Sequence, residues 1–369
     1  MPRRGDNIRK RKDGRWEARY LMPVDATGDR RYGSVYGRSY QEAKEKRDMV
    51  LTHPQVVQAS TQLRVKDLLY AWQDSNRIRL KESSVSRYQN LIDTHILPDI
   101  GSLNVGMLTT PYLNKFIGTK LRNGRVDGKG GLSPSYVRSI ALVIDAAIKY
   151  GASEQLCMPL KSPLTKPSLT KKEVVVLSKE TQTKLENNLL TKMTAEKLLT
   201  YITLYTGLRI GEALALMWED IDLSKQVLYV RHTISRVWQV VDGKKHSVWI
   251  VEEPKTQASK RVIPLCSKLI QILKDYPYRK ASGYLLTTNG NFISPRTFEY
   301  RYKRILTCSG LTPVNFHSLR HTFATRCVEA NVDIKSLSEI LGHADASITL
   351  NTYVHSSIEL KRCQLEKIV

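Results

Sequence analysis

Apolar residues recur at three- and four-residue intervals through four stretches of this chain, RVKDLLYAWQDSNR, SVSRYQNLIDTHILPDI, PYLNKFIGTKLRNG and PSYVRSIALVIDAAIKYG. That spacing puts one face of an α-helix against a core and predicts an all-α four-helix domain over 62–156. Ahead of it the pattern is that of strands. NIRKR and WEARYLMP flank the turn Lys12-Asp13-Gly14-Arg15, DATGDR makes a second turn, and RYGSVYGRS supplies a third strand. Ser39 stands three residues before Glu42, a capping box that opens the helix YQEAKEKRDMVL. A small three-stranded β-sheet plus helix is therefore expected over 1–54, followed by a linker in THPQVVQASTQ. Further on, Pro159, Pro163 and Pro167 punctuate an extended connector. The remainder, 173–369, reads as a mainly α domain with a small antiparallel β-sheet. Its strands run from VLYVRHTI through VVDGKKHSVWIV to KRVIPL, with one turn at Asp242-Gly243 and Lys255 close to a second.

Charge narrows what such a multidomain protein does. Its 369 residues include 58 Lys plus Arg against 35 Asp plus Glu, a net charge of +23, and so call for a polyanionic partner, nucleic acid first. A ribosomal or membrane-surface protein of similar charge is usually shorter or carries disordered basic runs, whereas 41% of this chain is hydrophobic. Residues 1–20 hold eight Lys or Arg against three acids, with Trp16, Tyr20, Tyr32 and Tyr36 interleaved along the strands. Any one of these basic residues is ordinarily a solvated surface group; the ensemble suits a β-ribbon laid in a DNA groove. NGRVDGKGG lacks the spacing of a phosphate-binding loop and reads as a flexible basic loop. The five cysteines, Cys157, Cys266, Cys308, Cys327 and Cys363, form no CxxC pair, so neither a zinc site nor a disulfide framework is indicated. With no apolar run of about 18 residues and no apolar stretch behind the basic N-terminus, a cytoplasmic location without membrane association is expected.

Candidate chemistry gathers in the second half. On a helix predicted over 318–330, Leu319, Phe323, Ala324, Cys327 and Val328 form the apolar stripe. Arg320 falls inside that stripe and His317 near its edge. An inward arginine must meet an anion, either a structural carboxylate or a substrate phosphate. Arg209 follows the helix-ending Gly207 and opens the helix IGEALALM, where backbone N–H groups also favour anions. Glu212, three residues on, is placed to brace it, and two arginine forks suit a phosphate better than two lysines would. His317 and His321 have the spacing of a helical zinc pair, but no glutamate follows His317 and no third ligand is evident, so His321 is read as structural. His343 falls in the turn after Gly342, and Tyr353 lies on the short segment ASITLNTYVH.

TGLRIGEALAL, the lysine of PKTQASKRVIPL, HSLRHTFAT, LGH and the following tyrosine resemble, in order and spacing, the tyrosine recombinases, also called the phage integrase family. The two regions ahead are similar to the arm-type and core-binding DNA domains of integrases from temperate phages and conjugative transposons. Position by position, the resemblance implies catalytic roles for Arg209, Lys255, His317, Arg320, His343 and Tyr353, with Glu212 in support. It implies attack by Tyr353 with His317 as base, a 3′-phosphotyrosyl intermediate, Lys255 as general acid to the 5′ oxygen, and no cofactor or metal. Double-stranded DNA with core-type and arm-type sites, a homotetramer and a Holliday junction follow from it, along with a host DNA-bending protein and a directionality factor as further partners. The tail SSIELKRCQLEKIV gathers Ile358, Leu365, Ile368 and Val369 on one side of a helix and is expected to dock on a neighbouring protomer. A chromosome-dimer resolvase, a type IB topoisomerase and a catalytically silent DNA-binding regulator are the alternatives.

Overall fold

A computed structural model describes residues 7–21, 32–52, 56, 60, 62–169, 174–241, 244–254, 256–353 and 366. The chain divides into two compact units, Met1–Thr170 and Lys171–Val369.

The first unit begins with β1 (Ile8–Lys10), β2 (Trp16–Leu21) and β3 (Tyr32–Gly37), an antiparallel sheet in the order β1-β2-β3. Its buried positions are few: Ile8 and Ala18 face each other across the β1–β2 register and close on Ala43 of α1 (Tyr40–Thr52). At the start of α1 the Ser39 hydroxyl accepts from the Glu42 amide at 3.1 Å, and the Glu42 carboxylate reaches back to the amide of Arg38 at 2.8 Å, so the expected cap is present one residue displaced. The linker read in THPQVVQASTQ and the turn in DATGDR fall largely outside the described residues.

The four expected helices follow as α2 (Val65–Arg77), α3 (Glu82–Leu91), α4 (Thr110–Asn123) and α5 (Pro134–Ser153). α3 continues through a π-helical turn, Ile92–Ile96, to Ile100. The extra residue per turn keeps Leu91, Ile92, Ile96 and Ile100 all inside the core. Thr109 and Ser133 cap α4 and α5 through their hydroxyls, each followed within two residues by proline. The loop NGRVDGKGG is an organised turn, in which Arg125 and Asp127 pair at 2.6 Å and the Arg125 amide donates to the Gly130 carbonyl.

In the second unit, α6 (Lys179–Leu190), α7 (Ala195–Thr206) and α8 (Ile210–Leu214) precede the strands, and α9 (Ser267–Asp275), α10 (Pro295–Cys308), α11 (His317–Glu329), α12 (Ile334–Leu341) and α13 (Ala346–Tyr353) follow them. α7 is buried nearly all round and forms the axis of the main core. The strand region differs from expectation. VLYVRHTI is two strands in two sheets: β5 (Val227–Val230) lies between β4 (Ile221–Asp222) and β8 (Arg261–Pro264), while β6 (Thr233–Val241) pairs with β7 (Lys244–Glu252) in a separate two-stranded ribbon. The break falls at Arg231, whose guanidinium pairs with the buried Asp220 at 3.0 Å and lies over the Tyr229 ring. The turn at Asp242-Gly243 lies outside the described residues.

Candidate active site

Two left-handed glycines bring the functional segments together. Gly207 ends α7 at φ +65°, and a Cβ there would stand 2.7 Å from the Phe323 ring and 2.8 Å from Leu341. Only glycine lets the end of α7 come this close to α11 and α12. Gly342 ends α12 in the same conformation, tight against the carbonyl of Ala258 and the side chain of Arg261, which delivers His343 to the same place.

Arg320 crosses from α11 between these two turns. It is 1% exposed and donates to the carbonyls of Gly207 and Leu341, each at 2.8 Å, and to Nε2 of His343, also at 2.8 Å. The inward arginine thus meets neutral acceptors, and no carboxylate pairs with it among the described residues. Burial and then Arg209 push its pKa down to about 9, a measure of an uncompensated cation held in place by dipoles. An arginine only donates, so Nε2 of His343 accepts; the imidazole proton is then on Nδ1, given to Thr349 Oγ at 2.8 Å. Burial, then Arg320, Arg209 and Arg261, bring the His343 pKa down to about 4.

Arg209 occupies the N-cap of α8 in extended conformation. Its backbone N–H and Nη1 donate to the two oxygens of Glu212 at 3.0 and 2.7 Å, and Nη2 donates to the Gly342 carbonyl at 2.9 Å. The bracing carboxylate is itself shared: Arg261 Nη2 reaches Glu212 at 2.8 Å while its Nε donates to the Ile340 carbonyl. Burial alone would raise the Glu212 pKa, but Arg261 and then Arg209 hold it below the ordinary carboxylate value. Three guanidiniums and one joined carboxylate leave a net positive site.

Tyr353, the last described residue of α13, is 7% exposed and packs with Ala324, Leu337 and Leu341. Its hydroxyl lies 2.9 Å from Nδ1 of His321. Burial raises its pKa, while Arg320 and Arg209 pull it down. The imidazole at the tyrosine hydroxyl is that of His321, which the sequence reading set aside as structural, rather than that of His317, the expected base. His317 and His321 lie one turn apart on the same helix face, their rings edge to face at 4.5 Å, and His321 is the one that α13 meets. The outer side of His317 is open to solvent; desolvation on its inner side, then His321, Arg320 and Arg209, holds its pKa below the ordinary value.

The structure therefore brings together Arg209, Glu212, Arg320, His343 and Tyr353, with His317 beside them through His321. Lys255 and the tail after Tyr353, apart from Glu366, lie outside the described residues. Arg261, which the sequence reading did not place here, joins the site through Glu212, and His321, read there as structural, lies at the tyrosine hydroxyl.

The model of the phage integrase family matches residues 167–359, just over half of the chain. The chain belongs to the phage integrase family. A second match, to the N-terminal SAM-like domain of phage integrases, covers residues 65–121, within the helical part of the first unit. Among curated relatives of this integrase-family chain, a tyrosine recombinase XerC-like protein of Caldanaerobacter subterraneus is 38% identical over 43% of the chain and 45% of the relative. The ICEBs1 integrase of Bacillus subtilis is 30% identical over 42% and 43%. The chain spans about half the length of the curated relatives it matches. Solved structures share the fold. The Tn1549 transposon integrase in complex with a circular intermediate DNA has a TM-score of 0.61 at 21% identity, over 82% of this chain and 99% of that one. A lambda integrase tetramer bound to a Holliday junction has a TM-score of 0.56 at 18% identity, over 98% and 99%.

Proposed function

We propose that this integrase-family chain is a site-specific DNA recombinase that integrates and excises a mobile element. The observation that carries the reading is the cationic site around Tyr353. Arg320, buried without a carboxylate, and Arg209, half-braced by a shared one, present N–H donors and uncompensated charge beside a tyrosine hydroxyl. A DNA phosphodiester supplies the missing anion.

In this reading Arg209, Arg320, His317 and His343 hold the non-bridging oxygens and stabilise the charge that grows on them as Tyr353 attacks. Because Nε2 of His343 in this state accepts from Arg320 while Nδ1 donates to Thr349, holding a phosphate oxygen requires that substrate take over the Arg320 donor and that the imidazole carry a proton on Nε2. Lys255, which falls between β7 and β8 in the sequence, protonates the departing 5′ oxygen. Glu212 keeps the Arg209 fork oriented. One phosphodiester becomes a phosphotyrosyl ester of similar energy, so rejoining requires only the 5′-hydroxyl of a partner strand. Two duplexes exchanged in turn imply a tetramer and a Holliday junction, the assembly in which the lambda relative was solved.

Residues 1–54 act as an arm-type DNA-binding domain, 62–156 as a core-binding domain and 173–369 as the catalytic domain. The tail after Tyr353 docks on a neighbouring protomer. A host DNA-bending protein and a directionality factor complete the assembly, in the cytoplasm. No helix among the described residues is long and apolar enough to cross a membrane. The XerC-like relative favours a second reading, chromosome-dimer resolution; the basic three-stranded sheet ahead of the helical region favours the mobile-element reading. Incubating the protein with two differently labelled duplexes carrying the element's end and target junctions decides between them. Joined products from two unlike sites support integration, and products only from two identical chromosomal sites support resolution.

A further inference from the structure

We propose that His321 is a catalytic residue, the group that receives the Tyr353 proton during strand cleavage. The inference rests on the recombinase reading above and adds to it an atom-level partner for the nucleophile.

The geometry points to His321 on three counts. Its Nδ1 is 2.9 Å from the tyrosine hydroxyl, within direct transfer distance. The contact is held from both sides: the His321 ring leans on His317 at 4.5 Å on one side and lies 5.6 Å from the Tyr353 ring on the other. Tyr353 is itself pinned in an apolar cluster with Ala324, Leu337 and Leu341, so the hydroxyl has little freedom to seek another acceptor. The charged and titratable groups around the His321–Tyr353 pair are His317 and Arg320 from α11 and Arg209 from the start of α8. Burial and the neighbouring Arg320 lower the His321 pKa, so at neutral pH the ring is uncharged and Nδ1 has a lone pair to offer when its proton is on Nε2.

The step balances within the groups named. As Tyr353 Oη forms its bond to phosphorus, the O–H bond breaks and the proton passes to Nδ1, making an imidazolium. The P–O5′ bond breaks with its electron pair on O5′, which takes a proton from the Lys255 ammonium in the roles proposed above. Rejoining runs the transfers in reverse. An imidazolium one residue from Arg320 is unfavourable, which drives the proton back to Tyr353 when the ester is resolved.

The test is single-turnover formation of the covalent protein–DNA complex on a nicked suicide substrate, followed from about pH 5.5 to 9.5, with wild type, His321→Ala and His321→Gln. DNA affinity and thermal melting are measured alongside. His321→Gln can hydrogen-bond the hydroxyl but cannot take its proton. The expected result is that both variants bind DNA and melt like wild type. Both should form complex roughly 10²-fold more slowly at pH 7, with a rate that climbs steadily with pH as hydroxide replaces the lost base, where wild type is level. A wild-type rate in either variant overturns the proposal, as does a slowed variant whose pH profile parallels wild type. If wild type itself forms no covalent complex on a verified site, the recombinase reading fails instead.

Discussion

At the scale of single residues, the site depends on who shares Glu212. Its two oxygens serve Arg209 twice and Arg261 once, and both Glu212 and Arg261 are almost fully buried. Glu212→Gln keeps the shape and removes the charge, leaving one buried and one half-buried guanidinium without compensation. Breaking a buried pair in this way costs about 3 kcal/mol, to be read as a lower denaturation midpoint with unchanged slope in urea. The imidazoles set a pH dependence with a definite sign. Well above the ordinary value of 6.5, folded and unfolded chains both carry His343 neutral and it contributes nothing; as the pH falls through that value the unfolded chain takes a proton that the folded site refuses until about pH 4. His317 and His321 shift in the same direction. Stability of the second unit should therefore fall as the pH is lowered from about 6.5 toward 4, and urea midpoints across that range check it. Arg209 and Glu212 were legible in the sequence because they share one helical turn. The contacts of Arg261 with Glu212 and of His321 with Tyr353 were not, because the partners are 49 and 32 residues apart, and no periodicity carries that information.

At the scale of elements, the site is made by where helices stop. Gly207 and Gly342 end α7 and α12 in the left-handed region, and their carbonyls receive Arg320 and Arg209 respectively. The sequence announces both stops, since glycine after a periodic helix is a known terminator; the close approach they permit is visible only in three dimensions. Gly207→Ala should cost more than the one to two kcal/mol (roughly) of the left-handed backbone, because its Cβ would also press into Phe323 and Leu341. It should depress covalent-complex formation along with the melting temperature, whereas Gly14→Ala, left-handed with open space around it, should affect stability alone. The strand region shows why alternation misleads. The apolar and polar positions of VLYVRHTI run on without interruption, but the tertiary pairing of Arg231 with Asp220 ends one strand and starts another.

At the scale of the whole molecule, the net charge of +23 and the basic strands of the first unit imply a broad phosphate footprint. Affinity for a full recombination site should fall linearly on a log–log plot against salt, by roughly 10³-fold or more between 50 and 200 mM. A nearly flat dependence in a filter-binding or fluorescence titration would remove the footprint. Recombination itself turns on Tyr353. A suicide DNA substrate nicked beside the cleavage position, incubated with wild type and with Tyr353→Phe, tests it most directly. A denaturation-resistant protein–DNA complex is expected with wild type alone, with equal DNA binding by both proteins; a covalent complex formed equally by Tyr353→Phe, or by neither protein on a verified site, would rule out Tyr353 as the nucleophile.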